Sequence, residues 1–371
     1  MTSTYNDLLK TYQGFIAPSY SIVVNHSLTI SLGESPFVDT LEVELTAGYE
    51  AGACNIFFFE GVEWDATQNT YTVSQEIRNH IKLGNQLEVK LGYGSELKTV
   101  FKGFITAIEL YYEADSGFQV IVESMDAKRL MMNNYRSNQP RTDLKNYSEA
   151  VREILKKYAP HLGSQNINIT QERNLPFEQH NQSDYDFLVS LAKRVNYAFY
   201  MINNDVYFEE YAYDTKPLLE LHAHHLHSFS REMTLADQIK EVTVRSNDEQ
   251  DPNNVFEATA NTFKAIGKGT KDSHGITNIT SPSAQKIIID TSVSSNNEAK
   301  SRAEAELARH AFKFAHGTFK TLGIPEIMPG KMITITGFGE EYDNDYFLKK
   351  VTHSYTSSGF TTKGELGVNK I

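Results

Sequence analysis

From about Tyr20 to Glu123, apolar and polar residues alternate in short runs: Ser21-Ile-Val-Val, Leu41-Glu-Val-Glu-Leu, Gln86-Leu-Glu-Val-Lys-Leu and Gly117-Phe-Gln-Val-Ile-Val-Glu. A period of two sends successive side chains to opposite faces of a strand, and the runs are separated by Gly, Asn and Asp turns. Regular short strands of this kind predict a sandwich or a barrel.

The period changes between about Thr142 and Tyr213. A helix is predicted to open at Ser148, place Val151, Ile154, Leu155 and Tyr158 on one face, and stop at Pro160. A second is predicted to open at Ser183 with Asp186 as a capping partner, and to carry Phe187, Leu188, Leu191, Ala192 and Val195 on one face. The run 198–202, an Asn203-Asn204-Asp205 turn and the run 206–210 then predict a hairpin. Together these elements form a small α/β module.

From Pro217 onward the text is again β, with polar stretches at 246–254 and 267–283 that predict exposed loops. One helix interrupts it, at about 296–316. Ser295 and Glu298 form a capping box, Ala299, Ala303, Leu307, Ala311 and Phe314 lie on one stripe, and Gly317 ends it. The domain expectation is therefore a first β-barrel at 1–135, an inserted α/β unit at 136–215, and a second β-barrel at 216–371.

One segment occurs twice. The first copy runs from Gly84-Asn-Gln-Leu-Glu-Val-Lys-Leu-Gly-Tyr-Gly through Val100-Phe101-Lys-Gly-Phe-Ile-Thr to Gly117-Phe118. The second runs from Gly330-Lys-Met-Ile-Thr-Ile-Thr-Gly-Phe-Gly through Tyr346-Phe347-Leu-Lys-Lys-Val-Thr-His to Gly359-Phe360. The Gly-aromatic-Gly corner sits one residue earlier in the second copy. The fold class is thus α+β and mainly β: two similar antiparallel β-barrel domains with a small α/β insertion.

Composition narrows the functions open to such a fold. With 371 residues, 40% of them hydrophobic and 22% charged, the chain has the makeup of a soluble globular protein of two or three domains. No run approaches the ~18 apolar residues of a membrane span, and the start Met1-Thr-Ser-Thr-Tyr lacks a signal-peptide layout. Synthesis in the cytoplasm and no stable membrane insertion are the expectation. A net charge of −12 opposes a general nucleic-acid surface while suiting a non-adhesive lumen. The 20 tyrosines and 21 phenylalanines fit barrel cores and interfaces equally.

Candidate chemistry is sparse. Cys54 precedes the apolar run 56–59 and reads as a buried, inert thiol, and one cysteine excludes a disulfide within the chain. In Leu221-His-Ala-His-His-Leu-His227, a strand would place His222 and His224 on one face and His225 and His227 on the other. Imidazole pairs of this kind suit Zn²⁺, but no third ligand is legible, and a polar strand or loop at a subunit boundary is the reading preferred to a metal site. Asp184/Asp186 and Glu340/Glu341 could pair as acid and base, but the first pair opens a helix and the second lies in a turn. No catalytic, cofactor or metal residue is assigned.

The stretch Pro176-Phe-Glu-Gln-His-Asn-Gln-Ser-Asp-Tyr-Asp-Phe-Leu-Val-Ser-Leu-Ala-Lys-Arg-Val-Asn-Tyr-Ala-Phe-Tyr resembles the phage late-control D and VgrG-type baseplate hub family. The segments around Gly323 to Gly337, Tyr346 to His353 and Gly359-Phe360, and the placement of Gly84, Phe101 and Gly103, are similar to it as well. The resemblance implies a non-enzymatic homotrimer in a phage tail, tailocin or injection particle. In that reading three subunits offer six similar barrels to a hexameric inner tube and true threefold symmetry to a trimeric spike. Baseplate wedge proteins would bind outside, and tape-measure protein or cargo would pass through the lumen. The sequence to Ile371 shows no fused OB module or needle, so the spike is expected as a separate protein. Candidate contacts are the corners at Tyr93 and Phe338, the acidic turn 340–345 with Glu340 and Glu341, and the helix 298–316. The alternatives are a tail-associated cell-wall or carbohydrate-degrading enzyme and a monomeric binding module.

Overall fold

The structure is a computed structural model that describes residues 4–33, 37–59, 61–115, 117–137, 140–247, 254–280 and 283–371. It begins with α1 (Tyr5–Thr11), closed by a Thr4–Asp7 capping box. Then follow β1 (Pro18–Val24), β2 (Leu28–Ser31), β3 (Phe37–Thr46), β4 (Ala53–Phe59), the hairpin of β5 (Val62–Asp65) and β6 (Thr70–Val73), and α2 (Gln75–His80). A meander of β7 (Gln86–Tyr93), β8 (Glu96–Glu113) and β9 (Gly117–Met125) closes the first half. Alternation does what the sequence implied: Leu41, Val43 and Leu45 of β3 are buried while Glu42 and Glu44 between them are not.

The inserted unit opens with α3 (Arg129–Met132), β10 (Tyr135–Arg136) and α4 (Tyr147–Leu155). After β11 (Gln165–Ile167) and β12 (Gln182–Ser183) come α5 (Asp184–Val195), β13 (Tyr197–Ile202) and β14 (Asp205–Glu210). The first helix starts earlier than Ser148, because Asn146 is the cap: its Oδ1 accepts from Glu149 N at 2.8 Å and from the Ser148 hydroxyl at 2.6 Å. Past Leu155 it tightens into a 3₁₀ turn, Lys156–His161, that contains Pro160. Ser183 caps α5 as expected, accepting from Asp186 N at 2.9 Å. Asn203 and Asn204 both take positive φ, which joins β13 and β14 tightly.

The second half contains β15 (Pro217–His222), β16 (Leu226–Met233), a small unit of its own built from β17 (Glu241–Asn247), β18 (Val255–Ala260), β19 (Gln285–Ile289) and α7 (Asn296–Ala311), and, between β18 and β19, α6 (Ser273–Thr280), whose Ile276 packs on the main core. In that unit α7 packs on the β18-β17-β19 sheet through Ala299, Ala303 and Leu307, against Val242 and Val244. The predicted loop at 267–283 thus contains a helix, while 248–253 of the other predicted loop lie outside the described residues. α7 ends at Ala311, short of Gly317, because Ala315 already pairs with Met233 and Val368 in the sheet. The chain finishes with β20 (Ala315–Leu322), β21 (Met332–Thr336), β22 (Asn344–Thr356) and β23 (Gly359–Val368).

The two halves are fused. Their strands form one sheet in the order β16-β20-β23-β22-β3-β4-β9-β8-β7-β1-β2, with β21 on β22 and β15 on β21. A single hydrophobic core runs through both halves, from Leu41 and Val89 to Ile335 and Val351.

Candidate assembly surface

Each half lays six strands side by side in the same order. In the first this is β3-β4-β9-β8-β7-β1; in the second, β16-β20-β23-β22-β21-β15. Two register shifts also fall at matching places. β3 shifts register on β4 between Val38 and Thr40, and β16 shifts on β20 between Leu226 and Ser228. β8 shifts on β9 between Ile105 and Ala107, and β22 shifts on β23 between Leu348 and Lys350. A bulge inserts one residue and re-aims all that follows, so two bulges at matching places mark a repeated unit more strongly than alternation can. The halves differ at one flank, where β1 is antiparallel to β7 and β15 is parallel to β21, and in two shifts without a counterpart, on β7–β8 between Val89 and Lys90 and on β15–β21 between Pro217 and Glu220.

Gly84 and Gly330 set the entry to the two meanders. Both hold positive φ, +83° and +81°, and donate to Ile105 O at 2.8 Å and Leu348 O at 2.9 Å. The Ile105 and Leu348 amides answer to the carbonyls of Asn85, at 2.9 Å, and Lys331, at 2.8 Å. Left-handed backbone of this kind favours glycine.

The halves meet where β3 runs antiparallel to β22, from Leu41 opposite Tyr355 to Thr46 opposite Lys350. His353 sits on this seam, fully buried and bonded through both ring nitrogens. Its Nε2–H donates to Ile327 O at 3.1 Å, and Nδ1 accepts from the Thr362 hydroxyl at 3.0 Å, which in turn accepts from Ile324 N at 2.9 Å. Burial pulls its pKa down to about 4. The loop 323–331 is thereby fixed from the second half. From the first half, Tyr93 and Tyr12 donate to Gly323 O at 2.9 Å and Glu326 Oε1 at 2.6 Å. Helix α1 crosses the seam too, stacking Tyr5 on His225 with centroids 3.7 Å apart.

The predicted contact residues divide. Tyr93 is 3% exposed and packs against Tyr12 and Phe15, so its side chain belongs to the interior of the chain. Phe338 is 39% exposed, stacks on Phe229 at 4.6 Å, and is held by its amide donating to Asp343. Glu340 and Glu341 lie exposed in the following turn, where Arg231 donates to Glu341 O at 2.6 Å and sits over the Tyr342 ring.

The strand that reaches His222 does not continue through His225. Ala223–His225 turn a 3₁₀ corner between β15 and β16, so the alternation expected of a strand is lost. His225 Nδ1 accepts from His222 N and His222 Nδ1 from His224 N, which commits those atoms to the corner. Burial and the neighbouring His224 and His222 rings lower the His225 pKa. His227 lies exposed at the bulge of β16. Among the described residues no group of three or more His, Cys, Asp or Glu is disposed to hold a metal ion.

Asp184 is buried, accepting from Tyr158 at 2.7 Å, Gln179 at 3.0 Å and Lys157 at 3.2 Å, while Asp186 serves the cap of α5. Cys54 is fully buried and burial raises its pKa far above the ordinary thiol value, which makes it inert.

Sequence reasoning missed a charged cluster between the inserted unit and α7. Arg173 pairs with Glu298 at 2.8 Å, Arg194 with Asp290 at 3.3 Å and Arg302 with Asp290 at 3.6 Å. Burial acts to raise the Asp290 pKa, but the Ser292 hydrogen bond and the two guanidiniums outweigh it and hold it low. A cavity of about 380 Å³ opens beside them, lined among others by Tyr147, Arg194, Phe263, Glu298 and Arg302. Arg173 and Arg194 come from segments about a hundred positions from Asp290 and Glu298, and the only local signal was the cap at Glu298.

A family model described as the Alg8 N-terminal domain matches residues 54–357. No curated protein sequence matches the chain. Among solved structures it is similar to the 43 kDa tail protein of prophage MuSo2 from Shewanella oneidensis, at 11% identity and TM-score 0.68, covering 94% of this chain and 98% of that one. It is similar to the tail protein from Neisseria meningitidis MC58, at 11% identity and TM-score 0.67, covering 95% and 96%. Prophage tail protein gp18 from Listeria monocytogenes follows at 10% identity and TM-score 0.53, covering 95% of each chain. The fold is therefore that of phage tail proteins, along the whole length of these structures. Among the described residues no helix is long and apolar enough to cross a membrane.

Proposed function

The chain belongs to the family of the Alg8 N-terminal domain; from the fold it shares with tail proteins we propose that it is a structural baseplate hub component of a contractile tail or injection machine. In this reading it resembles the late-control D and VgrG-type hubs. Three copies form a ring, whose six β halves meet a hexameric inner tube on one side. Threefold symmetry on the other side receives a trimeric spike. The inserted unit and α7 would meet baseplate wedge proteins, and the acidic balance suits a lumen through which tape-measure protein or cargo slides.

The observation that carries the reading is the repeated six-strand order with its two matching bulges. A tube that presents one edge six times is capped without unpaired edges only by a surface that also repeats six times. We assign no catalytic role, since the best-placed carboxylate, Asp184, is engaged in holding the inserted unit together.

Mass photometry of the full chain, alone and with candidate tube and spike proteins, tests the proposal. A species at three times the 42.0 kDa chain mass, seen as rings on tube ends by electron microscopy, is the expected result. A chain that stays monomeric with both partners present overturns it.

A further inference from the structure

Two strand edges are left open in a matching way. Within the chain, Lys350–Tyr355 of β22 is covered by Leu41–Thr46 of β3. Aligned on the bulges, the counterpart of Lys350–Tyr355 in the first half is Ala107–Tyr112 of β8, and the counterpart of Leu41–Thr46 in the second is Phe229–Thr234. Among the described residues both counterparts lack the partner that the first pair has. β8 leaves β7 at Phe104 and beyond it pairs with β9 alone, while β16 ends the sheet with β20 as its one neighbour among the described residues.

We propose that β16 of one copy pairs antiparallel with residues 107–112 of β8 in the next, repeating between subunits the β3–β22 seam that exists inside each. This rests on the trimeric hub reading and names the contact that builds it. The register follows from the internal seam: Ile108 lies opposite Met233 of the next copy, Leu110 opposite Arg231 and Tyr112 opposite Phe229.

Exposure supports the pairing. On the internal seam Leu41, Val43, Leu45, Val351 and His353 are at most 2% exposed; at the open edges Ile108 is 39% exposed, Leu110 53%, Tyr112 59% and Met233 40%. Uncovered apolar side chains are present, with Arg231 among them at the place of Val43, where it is already bonded to Glu341 O. A free edge is ordinarily blunted by lysine or proline, and neither residue occurs in 107–112 or 226–233. Phe229 already stacks on Phe338, so the exposed Phe338 ring would stand next to Tyr112 of the neighbouring copy, which gives that corner a role. Two oppositions are unfavourable: Arg231 against Leu110, where the guanidinium keeps its bond to Glu341 O and its place over the Tyr342 ring, and Glu109 against Glu232, on the other face, where solvent and salt screen it.

The test uses the full chain carrying Ile108→Cys with Met233→Cys, treated with a short thiol-to-thiol cross-linker. Linked dimers and trimers are expected, and a register-shifted pair, Ile108→Cys with Phe229→Cys, should link at least tenfold less. A trimer by mass that does not link, or that links equally in the shifted pair, overturns the proposed seam while leaving the hub reading intact. A chain that never trimerises removes both. As a second measurement, Leu110→Lys with Tyr112→Lys, both at exposed positions, should abolish the trimer with an unchanged circular dichroism spectrum. A trimer that survives both lysines counts against the seam.

Discussion

The phenol of Tyr93, at the corner of the first meander, donates to the carbonyl of Gly323, 230 positions further along, at the mouth of the loop that leads into the second. Both atoms are buried, so each half supplies the partner that the other would otherwise lack. Tyr93→Phe keeps the ring among Tyr12, Phe15 and Phe360 but leaves that carbonyl unpaired. A loss of about 1–2 kcal/mol in urea unfolding is expected. No change would mean that the bond contributes nothing net.

Gly84 and Gly330 share a backbone requirement but not a neighbourhood. A Cβ at Gly84 meets nothing within 4 Å, while one at Gly330 would stand 2.1 Å from the Tyr200 hydroxyl of the inserted unit. Gly84→Ala should therefore cost about 1–2 kcal/mol from φ alone. Gly330→Ala should cost more, since Tyr200 is buried and bonded to Glu209 at 2.7 Å. Thermal melts of the two variants side by side decide it, and equal shifts would contradict the asymmetry.

His353 makes stability fall in acid. Its folded pKa is about 4 against 6.5 for the free side chain, so between those values the unfolded chain takes up a proton that the folded chain refuses. The stabilisation is fully present above pH 6.5 and is lost as pH falls toward 4, by about 3 kcal/mol in total. Urea midpoints measured from pH 7 to 4 should show this slope. His353→Gln, which does not titrate, should flatten it whatever its own baseline stability.

Glu298 ties α7 to the inserted unit, accepting from Arg173 at 2.8 Å and Tyr147 at 3.1 Å while its other oxygen receives Ser294. Removing it by Glu298→Ala strands the guanidinium of Arg173 in a site where that side chain is only 10% exposed. A loss of about 3–5 kcal/mol is expected. Hydrogen exchange should rise in α7 and α4 before it rises in β22. Uniform loss of protection would mean the two units are not joined mainly through this residue.

Several features of this fold were legible in the residue order alone. Alternation over 41–45 and 86–91, the caps at Ser183 and Ser295, the Asn203-Asn204 turn and the doubled Gly-led meander are local facts, decided by sterics and hydrogen bonds within a few residues. Their meaning does not depend on what lies across the sheet.

Which strands become neighbours is a different kind of fact. That β3 lies on β22 joins positions about 300 apart, and nothing in Leu41–Thr46 names its partner, because any antiparallel edge offers the same backbone groups. The two Gly-aromatic-Gly corners show the same divide: near-identical text sends Tyr93 inward and Phe338 outward, according to what packs against each half. The histidine run turns into a 3₁₀ corner because β15 and β16 must lie at opposite flanks of one half. The buried pair of Arg173 and Glu298 exists only once two units fold against each other. Local chemistry selected the elements, and the burial of one shared core, which depends on distances that the chain order does not encode, selected their arrangement.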